Sequence, residues 1–460
     1  MRSVTLIVLL FLFACHLADA QGRDDSPFRL ARPVTMSELK SRRTSGVSVA
    51  EVSDYVFGNY QGDFPSPPHA DLNPKKAFVI FWKDFDYRFV FSHEASYCPW
   101  FELSSGAAVS YQFFEGNQGW AELFNDPGRQ ERNSFVEVIE TGPRRVWVRW
   151  HYTGVNMQTG AAAFRGVEDF WAFPNGLILR RQRYYSLMPG DERGYAREPI
   201  ELIVMSPVGK LWFDVLAQEP ATGEGRAFVG VDAFSKARVD IFWKREPRPK
   251  QPWRGTSRRT GSPWKEIDDA RGVAAVVPLK DGSPFFVIGD ASGFAHETTR
   301  LKEHSDKATG GWGWRTLTWD HWPVGWLNSQ AHDTDEESYK RYPSHFAPFG
   351  LDLWSVPNEQ TERRDYFSLM GVGGSDVEAI RKLARDWLGV GPRRAVDPSY
   401  VGSLRPLKDA ARGHRGTAPE GRNNSSPGRE PRGEHQINNQ APAAATSHAA
   451  PPGLVNILSR

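Results

Sequence analysis

Cysteine is nearly absent from this chain, which has only Cys15 and Cys98 among its 460 residues. Cys15 lies in an N-terminal segment expected to be removed, so Cys98 is left alone and no internal disulfide is expected in the mature protein. Followed by Pro99 and Trp100, Cys98 reads as a small buried hydrophobe, with nothing nearby to mark a thiolate nucleophile. An excess of one charge is also missing, since 57 basic residues stand against 55 acidic ones. That balance gives no electrostatic footprint for nucleic acid. No stretch beyond the N-terminus is long and apolar enough for a transmembrane helix. There is no G-x-S-x-G elbow, P-loop, H-E-x-x-H pair or Rossmann glycine pattern, which leaves serine-hydrolase, nucleotide-binding and zinc-protease chemistry without support.

What the chain does have is aromatic: 17 Trp and 28 Phe, with aromatics 13% of the whole. Flat aromatic faces serve two ends, filling a large β core and stacking against sugar rings. The first residues set the compartment. Arg2 precedes an apolar run from Val4 to Ala14, and Ala18–Asp19–Ala20 supplies a small-x-small cleavage site. A secretory signal over residues 1–20 follows, and with it an extracellular or periplasmic location.

Residues 21–70 are polar and mixed and read as an N-terminal arm, within which "MSELKSRR" can form a short helix. From about residue 71 the pattern changes. Short β-branched and aromatic runs such as "AFVIFW", "YRFVFS", "SFVEVIE", "RRVWVRWHY", "EDFWAF", "LILRRQRYYSL", "IELIVMS", "RAFVGVDA", "VDIFWK", "VAAVVPL", "PFFVIGD" and "WRTLTW" follow one another. Turn residues separate them, and helical periodicity is scarce. The expected fold is all-β: a large antiparallel β-sandwich over residues 71–390. One helix is expected late, Ser375–Leu388, capped by Ser375 or Asp376, with Val377, Ile380, Leu383, Ala384 and Trp387 on one face. Residues 391–460 are rich in Gly, Pro, Asn and Ala and nearly free of large apolar residues, so a disordered tail is expected.

Four stretches gather residues able to carry chemistry. Phe91–Trp120, read as one hairpin, contains His93, Tyr97, Trp100, Tyr111, Gln118 and Trp120; regular alternation would put His93, Ala95 and Tyr97 on one face. In "RVWVRWHY", Val146, Val148, Trp150 and Tyr152 share one face, and Trp147, Arg149 and His151 the other. "RGYAREPIEL" holds Arg193, Arg197, Glu198 and Glu201. "LTWDHWPVGWLNSQAHD" holds His321, Trp322, Trp326, Asn328 and His332. The acidic run His332–Ser338 lacks the glycine and spacing of a calcium loop, and His321, His332 and His345 match no zinc spacing, so no cofactor is expected and only a structural calcium stays open.

β-Elimination at a uronic acid asks for this inventory. The sugar C5 proton is weakly acidic, so the carboxylate must be neutralised by Arg, Asn, Gln or protonated His. A His or Tyr base then removes the proton, and a Tyr or His protonates the departing oxygen. Hydrolysis would instead need two carboxylates about 5 to 9.5 Å apart, for which Glu198, Glu201 and Asp320 are available.

The succession "YCPWFE", "RVWVRWHY", "AREPIE" and "DHWPV" resembles a group of secreted bacterial β-sandwich polysaccharide lyases of the ulvan lyase type. The resemblance covers roughly residues 75 to 390 and is concentrated in those motifs. Tyr97, Trp100, Tyr152, His321 and Trp322 match the group's pattern. The chain departs from it with His151 where the group tends to have arginine and Asp320 where it has asparagine, departures that bear on how the carboxylate is neutralised. The resemblance implies a lyase acting on an acidic, sulfated, ulvan-like glycan. His321 or His93 would be the base and Tyr152 or Tyr97 the acid. Arg149, Arg197 or Gln118 would hold the carboxylate, or His151 in the place of the group's arginine, with Asn328 also in contact with substrate. Trp100, Trp322 and Trp326 would stack sugar rings. A glycoside hydrolase on the same scaffold, and a non-catalytic carbohydrate-binding protein, are the alternatives.

Overall fold

Alternation along Val146–Tyr152 divides its side chains between two environments, as a period of two requires. Val146, Val148, Trp150 and Tyr152 are each no more than 2% exposed, whereas Trp147, Arg149 and His151 are half-buried on the opposite face. The computed structural model describes residues 30–57, 75–111, 115–116, 121–123, 134–156, 161–187, 196–210, 214–245, 255–262, 272–289, 299–302, 344–354 and 364–407, apart from 31, 43, 44, 375 and 406.

These residues form twenty strands. In chain order they begin β1 (Val47–Val52), β2 (Ala77–Trp82), β3 (Arg88–Ser92), β4 (Pro99–Glu102), β5 (Ala108–Tyr111), β6 (Glu115–Gly116) and β7 (Ala121–Leu123). There follow β8 (Ser134–Glu140), β9 (Val146–Asn156), β10 (Ala162–Ala172), β11 (Leu177–Ser186), β12 (Ala196–Ser206), β13 (Gly225–Asp232) and β14 (Arg238–Arg245). The last are β15 (Gly255–Gly261), β16 (Val273–Val277), β17 (Phe285–Gly289), β18 (Thr299–Lys302), β19 (Ser344–Trp354) and β20 (Arg364–Val372). The helices are α1 (Met36–Ser41), α2 (Val377–Leu388), α3 (Pro392–Ala395) and α4 (Pro398–Ser403).

Pairing is antiparallel throughout the named strands and builds two large sheets. The first runs β1-β2-β3-β4-β5-β12-β19-β18. The second runs β8-β9-β10-β11-β20-β17-β16-β13-β14-β15. The short strands β6 and β7 pair with each other and tie β12 of the first sheet to β9 of the second. Phe89, Phe91 and Phe101 from the first sheet pack with Phe170 and Phe285 from the second, so the main core lies between the sheets. This is the all-β antiparallel sandwich expected from the short alternating runs.

A second core lies on the outer face of the second sheet, beneath α2. Ile380, Leu383, Ala384 and Trp387 pack with Trp171, Leu179, Val229, Val231, Phe286 and Ile288. The apolar spacing of α2 dictates this docking, and burying Ile380 or Leu383 stabilises by ~1.5–3 kcal/mol each. Asp376 is the cap, accepting from the Glu378 N–H at 2.9 Å. The guanidinium of Arg381 donates to Ala237 O and that of Arg385 to Ala233 O, so the helix also closes carbonyls at the β13–β14 turn.

The structure differs from the sequence-based expectation in four places. β1, inside the segment read as an arm, pairs along its length with β2; α1 precedes it with a Thr35–Glu38 capping box. The stretch from Phe91 is a three-strand meander, not one hairpin. β3 ends at Ser92, His93–Ala95 form a 3-10 turn, and Ser96 and Tyr97 follow with φ of 50° and 62°. That left-handed pair breaks the alternation assumed for His93, Ala95 and Tyr97. β15, β18, β19 and β20 match none of the expected runs. Among the described residues β15 pairs on one side only, with β14, and a sheet edge tolerates polar composition. Finally, α3 and α4 occupy the first residues of the segment read as a tail, where Trp387 donates to Ala395 O at 2.8 Å. Residues 408–460 lie outside the described residues.

Candidate functional site

Strand alternation gives the second sheet two polar clusters, back to back. The inner one faces the other sheet. Glu168 on β10 is opposite Trp150 on β9 and Gln182 on β11, which puts it in the same layer as Arg180 and Tyr152. The Tyr152 hydroxyl donates to Glu168 Oε1 at 2.7 Å, Arg180 Nε donates to Oε2 at 2.7 Å, and Gln182 Nε2 donates to Oε1 at 3.1 Å. All four are enclosed: Tyr152 is 2% exposed, Gln182 1%, and Glu168 and Arg180 0%. Burial pushes the Glu168 carboxyl up, against the pull of Arg180 and the hydrogen bonds from Tyr152 and Gln182.

Tyr152, His93, Tyr97 and Arg197, four of the expected site residues, are among the described residues of this part of the sandwich. The indole N–H of Trp150, stacked beside Tyr152 at 4.3 Å, donates to Ser96 O at 3.0 Å and ties β9 to the left-handed turn. His93 and Tyr97 lie in that turn with ring centroids 5.3 Å apart, and both are buried. Arg197 on β12 pairs with Gly116 of β6, and Gly116 pairs with Ala121 of β7, which in turn pairs with Asn156 of β9. β6 and β7 therefore link the ends of the strands that carry Arg197 and Tyr152. Residues 117–120, Gln118 among them, and His321, Trp322, Trp326 and Asn328, lie outside the described residues.

Two expectations need correcting. Tyr152 and Arg149 were pooled as parts of one site, but they project from opposite faces of β9 and cannot reach the same sugar. Trp100 was expected to stack on a sugar ring. It is 3% exposed, its indole N–H donates to Tyr55 Oη at 3.1 Å, and Phe57 packs edge-on against it, so the segment after β1 already covers its face.

The outer cluster is half-buried, with its arginines reaching solvent. Asp169 lies opposite Arg149 on β9 and Arg181 on β11, one strand position from Glu168 and so on the other face. Its carboxylate, 0% exposed, accepts from Arg149 Nε at 2.7 Å, Arg183 Nη2 at 2.9 Å, Trp147 Nε1 at 2.8 Å and both Nε and Nη2 of Arg181. Burial raises this carboxyl, but the hydrogen bonds from Arg149 and Arg181 outweigh it and hold the group below the usual carboxylate range. The arginine side chains stay 13 to 24% exposed. Trp147 and Trp171 back them, with Arg149 and Arg181 stacked over the indole rings at 5.2 and 5.4 Å.

Moving along the face away from α2, the next row is Phe135, His151, Val167 and Arg183, and the one after it Thr153, Arg165 and Tyr185. Phe135 is 54% exposed and Tyr185 37%. His151 Nε2 is 2.7 Å from Glu137 Oε2, and the Phe135 ring stacks on the imidazole at 4.4 Å. Desolvation lowers the His151 pKa despite the opposing effect of its hydrogen bond to the Glu137 carboxylate. Among the described side chains of this face, Arg149, Arg165, Arg181 and Arg183 stand against Asp169 and Glu137, while Glu140 beside Trp147 is paired with Arg145. The platform is ~14 Å wide, three strand spacings of about 4.8 Å, cationic in its middle and bordered by exposed aromatic rings.

Arg149 and His151 were legible in the sequence; Glu137, Asp169, Arg165, Arg181 and Arg183 were passed over. The signal was present, because "VEDFWAF" and "LRRQRYY" place charged residues inside apolar strands, a costly arrangement unless partners meet across the ladder. Register, which local sequence does not reveal, decides that Asp169 meets Arg181. Among the described residues no group of three or more His, Cys, Asp or Glu is placed to hold a metal ion, and no helix is long and apolar enough to cross a membrane.

No family model matches the chain, and no curated protein matches it. Among solved structures, it is similar to one from Klebsiella pneumoniae assigned as an aldose 1-epimerase, at 9% identity and a TM-score of 0.32, covering 78% of this chain and 90% of that one. A galactose 1-epimerase from Lactobacillus acidophilus gives 6% identity and a TM-score of 0.29, over 72% and 99% of the two chains. A copper-containing benzylamine oxidase from Hansenula polymorpha gives 11% identity and a TM-score of 0.20, over 72% and 54%. At these scores the likenesses carry no argument about activity.

Proposed function

We propose that this chain is a secreted polysaccharide lyase that cleaves an acidic glycan by β-elimination next to a uronic acid. The observation that supports it most is the outer platform, where three partly exposed guanidiniums converge on the carboxylate of Asp169. Three guanidiniums gathered around one carboxylate favour an anionic ligand, and the shared anchor holds the donors in place beforehand. A uronate carboxylate seated there would be neutralised, which makes its C5 proton easier to remove. Phe135 and Tyr185 offer apolar rings to neighbouring sugars.

The reading is tested by incubating the protein with ulvan and other polyuronates and following the ultraviolet absorbance of the unsaturated product. Absorbance should rise on at least one polymer. Arg183→Ala should weaken polymer binding by roughly 10- to 100-fold, the range of one lost charge-assisted hydrogen bond, and more so at low salt. New reducing ends without absorbance would make the protein a glycoside hydrolase. Arginine-dependent binding without any cleavage would make it a non-catalytic carbohydrate-binding protein.

A further inference from the structure

The inner and outer faces of β9 each present a histidine or tyrosine with a carboxylate partner, but only the outer pair is accessible. His151 and Glu137 have side chains 26% and 46% exposed, directly beside the Arg149 guanidinium. We propose that His151 is the proton-accepting catalytic residue of this platform and that Glu137 is its positioning residue, an inference that rests on the lyase reading above.

The geometry of the pair supports this. With its Nε2–H donating to Glu137 Oε2 at 2.7 Å, the neutral imidazole keeps its lone pair on Nδ1. Phe135, stacked at 4.4 Å and within 9° of parallel, restricts rotation of the ring. The groups that set its charge are Glu137 on β8, Arg149 on the same strand and Asp169 on β10. Desolvation is the largest influence and disfavours the imidazolium, as does Arg149, while Glu137 and Asp169 favour it. The imidazole is therefore neutral, and basic, near pH 7.

In the reaction, His151 Nδ1 takes the C5 proton of a uronate whose carboxylate faces the Arg149, Arg181 and Arg183 cluster. The C5–H electron pair becomes the C4–C5 double bond, and the C4–O bond breaks with its electrons leaving on oxygen. Water supplies the proton that the leaving oxygen takes, and the proton on His151 returns to solvent.

The test is the pH dependence of kcat and kcat/KM for the wild type, His151→Ala and Glu137→Gln on the polyuronate that gives product, with thermal unfolding to verify folding. His151→Ala should lose 10²- to 10⁴-fold in kcat, with KM for the polymer within about threefold. Glu137 raises the imidazole pKa, so Glu137→Gln should move the acidic limb of the profile to lower pH, a shift a merely structural role would not produce. A folded His151→Ala variant with undiminished kcat, or a Glu137→Gln limb that stays in place while the wild type makes product, overturns the base assignment alone. Absence of unsaturated product from the wild type on every polyuronate overturns the lyase reading and the assignment with it.

Discussion

Replacing Asp169 with asparagine keeps the shape of the most connected side chain on the platform and removes its charge. Oδ1 accepts from Arg149 and Trp147, and Oδ2 from Arg181 and Arg183. An asparagine offers one acceptor oxygen, and its amide N–H groups would face the guanidiniums that Oδ2 now receives. Breaking a buried pair by removing one partner typically costs ~3–5 kcal/mol. The arginines are partly hydrated, so the lower end of that range applies, ~3 kcal/mol. The thermal midpoint should fall by roughly 4 °C, because a fold of this size unfolds with a large entropy. Urea unfolding at pH 7 measures the difference, and an Asp169→Asn variant within about 1 kcal/mol of wild type would refute the claim that this carboxylate organises the face. The sign with pH is fixed by the depressed carboxyl. Its contribution is fully present above the unfolded value of ~3.9 and is lost as pH falls through the lower folded value. The wild type should therefore lose this stability in acid, the variant should not, and the gap between them should close.

Two further substitutions probe the inner face. Tyr152→Phe removes the O–H donor to Glu168 at 2.7 Å and leaves a buried carboxylate short of one partner. A loss of ~1–3 kcal/mol is expected by chemical denaturation, and no measurable loss would mean that the hydroxyl is not committed to Glu168. Gly166→Ala places a Cβ 2.1 Å from Tyr152 Cζ, across from it in the β9–β10 ladder. Overpacking of this kind costs ~1–3 kcal/mol, so the urea midpoint should drop, and an unchanged midpoint would show that the Tyr152 ring is free to move.

Local pattern carried most of the architecture. Period-two runs such as Val146–Tyr152 announce which side chains turn inward, because alternation follows from strand geometry alone. The spacing of Ile380, Leu383, Ala384 and Trp387, with Asp376 before them, likewise specifies a capped helix that must dock by one face. The same patterns brought Arg149 and His151 to attention, since polar residues on a half-buried strand face need a reason.

By itself, then, the amino-acid sequence determined the secondary structure of these runs, the sandwich class, and the sorting of β9 into an apolar and a polar face. Only the tertiary structure decided which charges meet. Asp169 gathers Arg149, Arg181 and Arg183 because β10 lies between β9 and β11 in one particular register, and a slip of one residue would have sent it into the core beside Tyr152. The left-handed pair Ser96–Tyr97 and the covering of Trp100 by Tyr55 and Phe57 were set in the same way. Contacts between strands distant in sequence determine both, and no local run of residues encodes them.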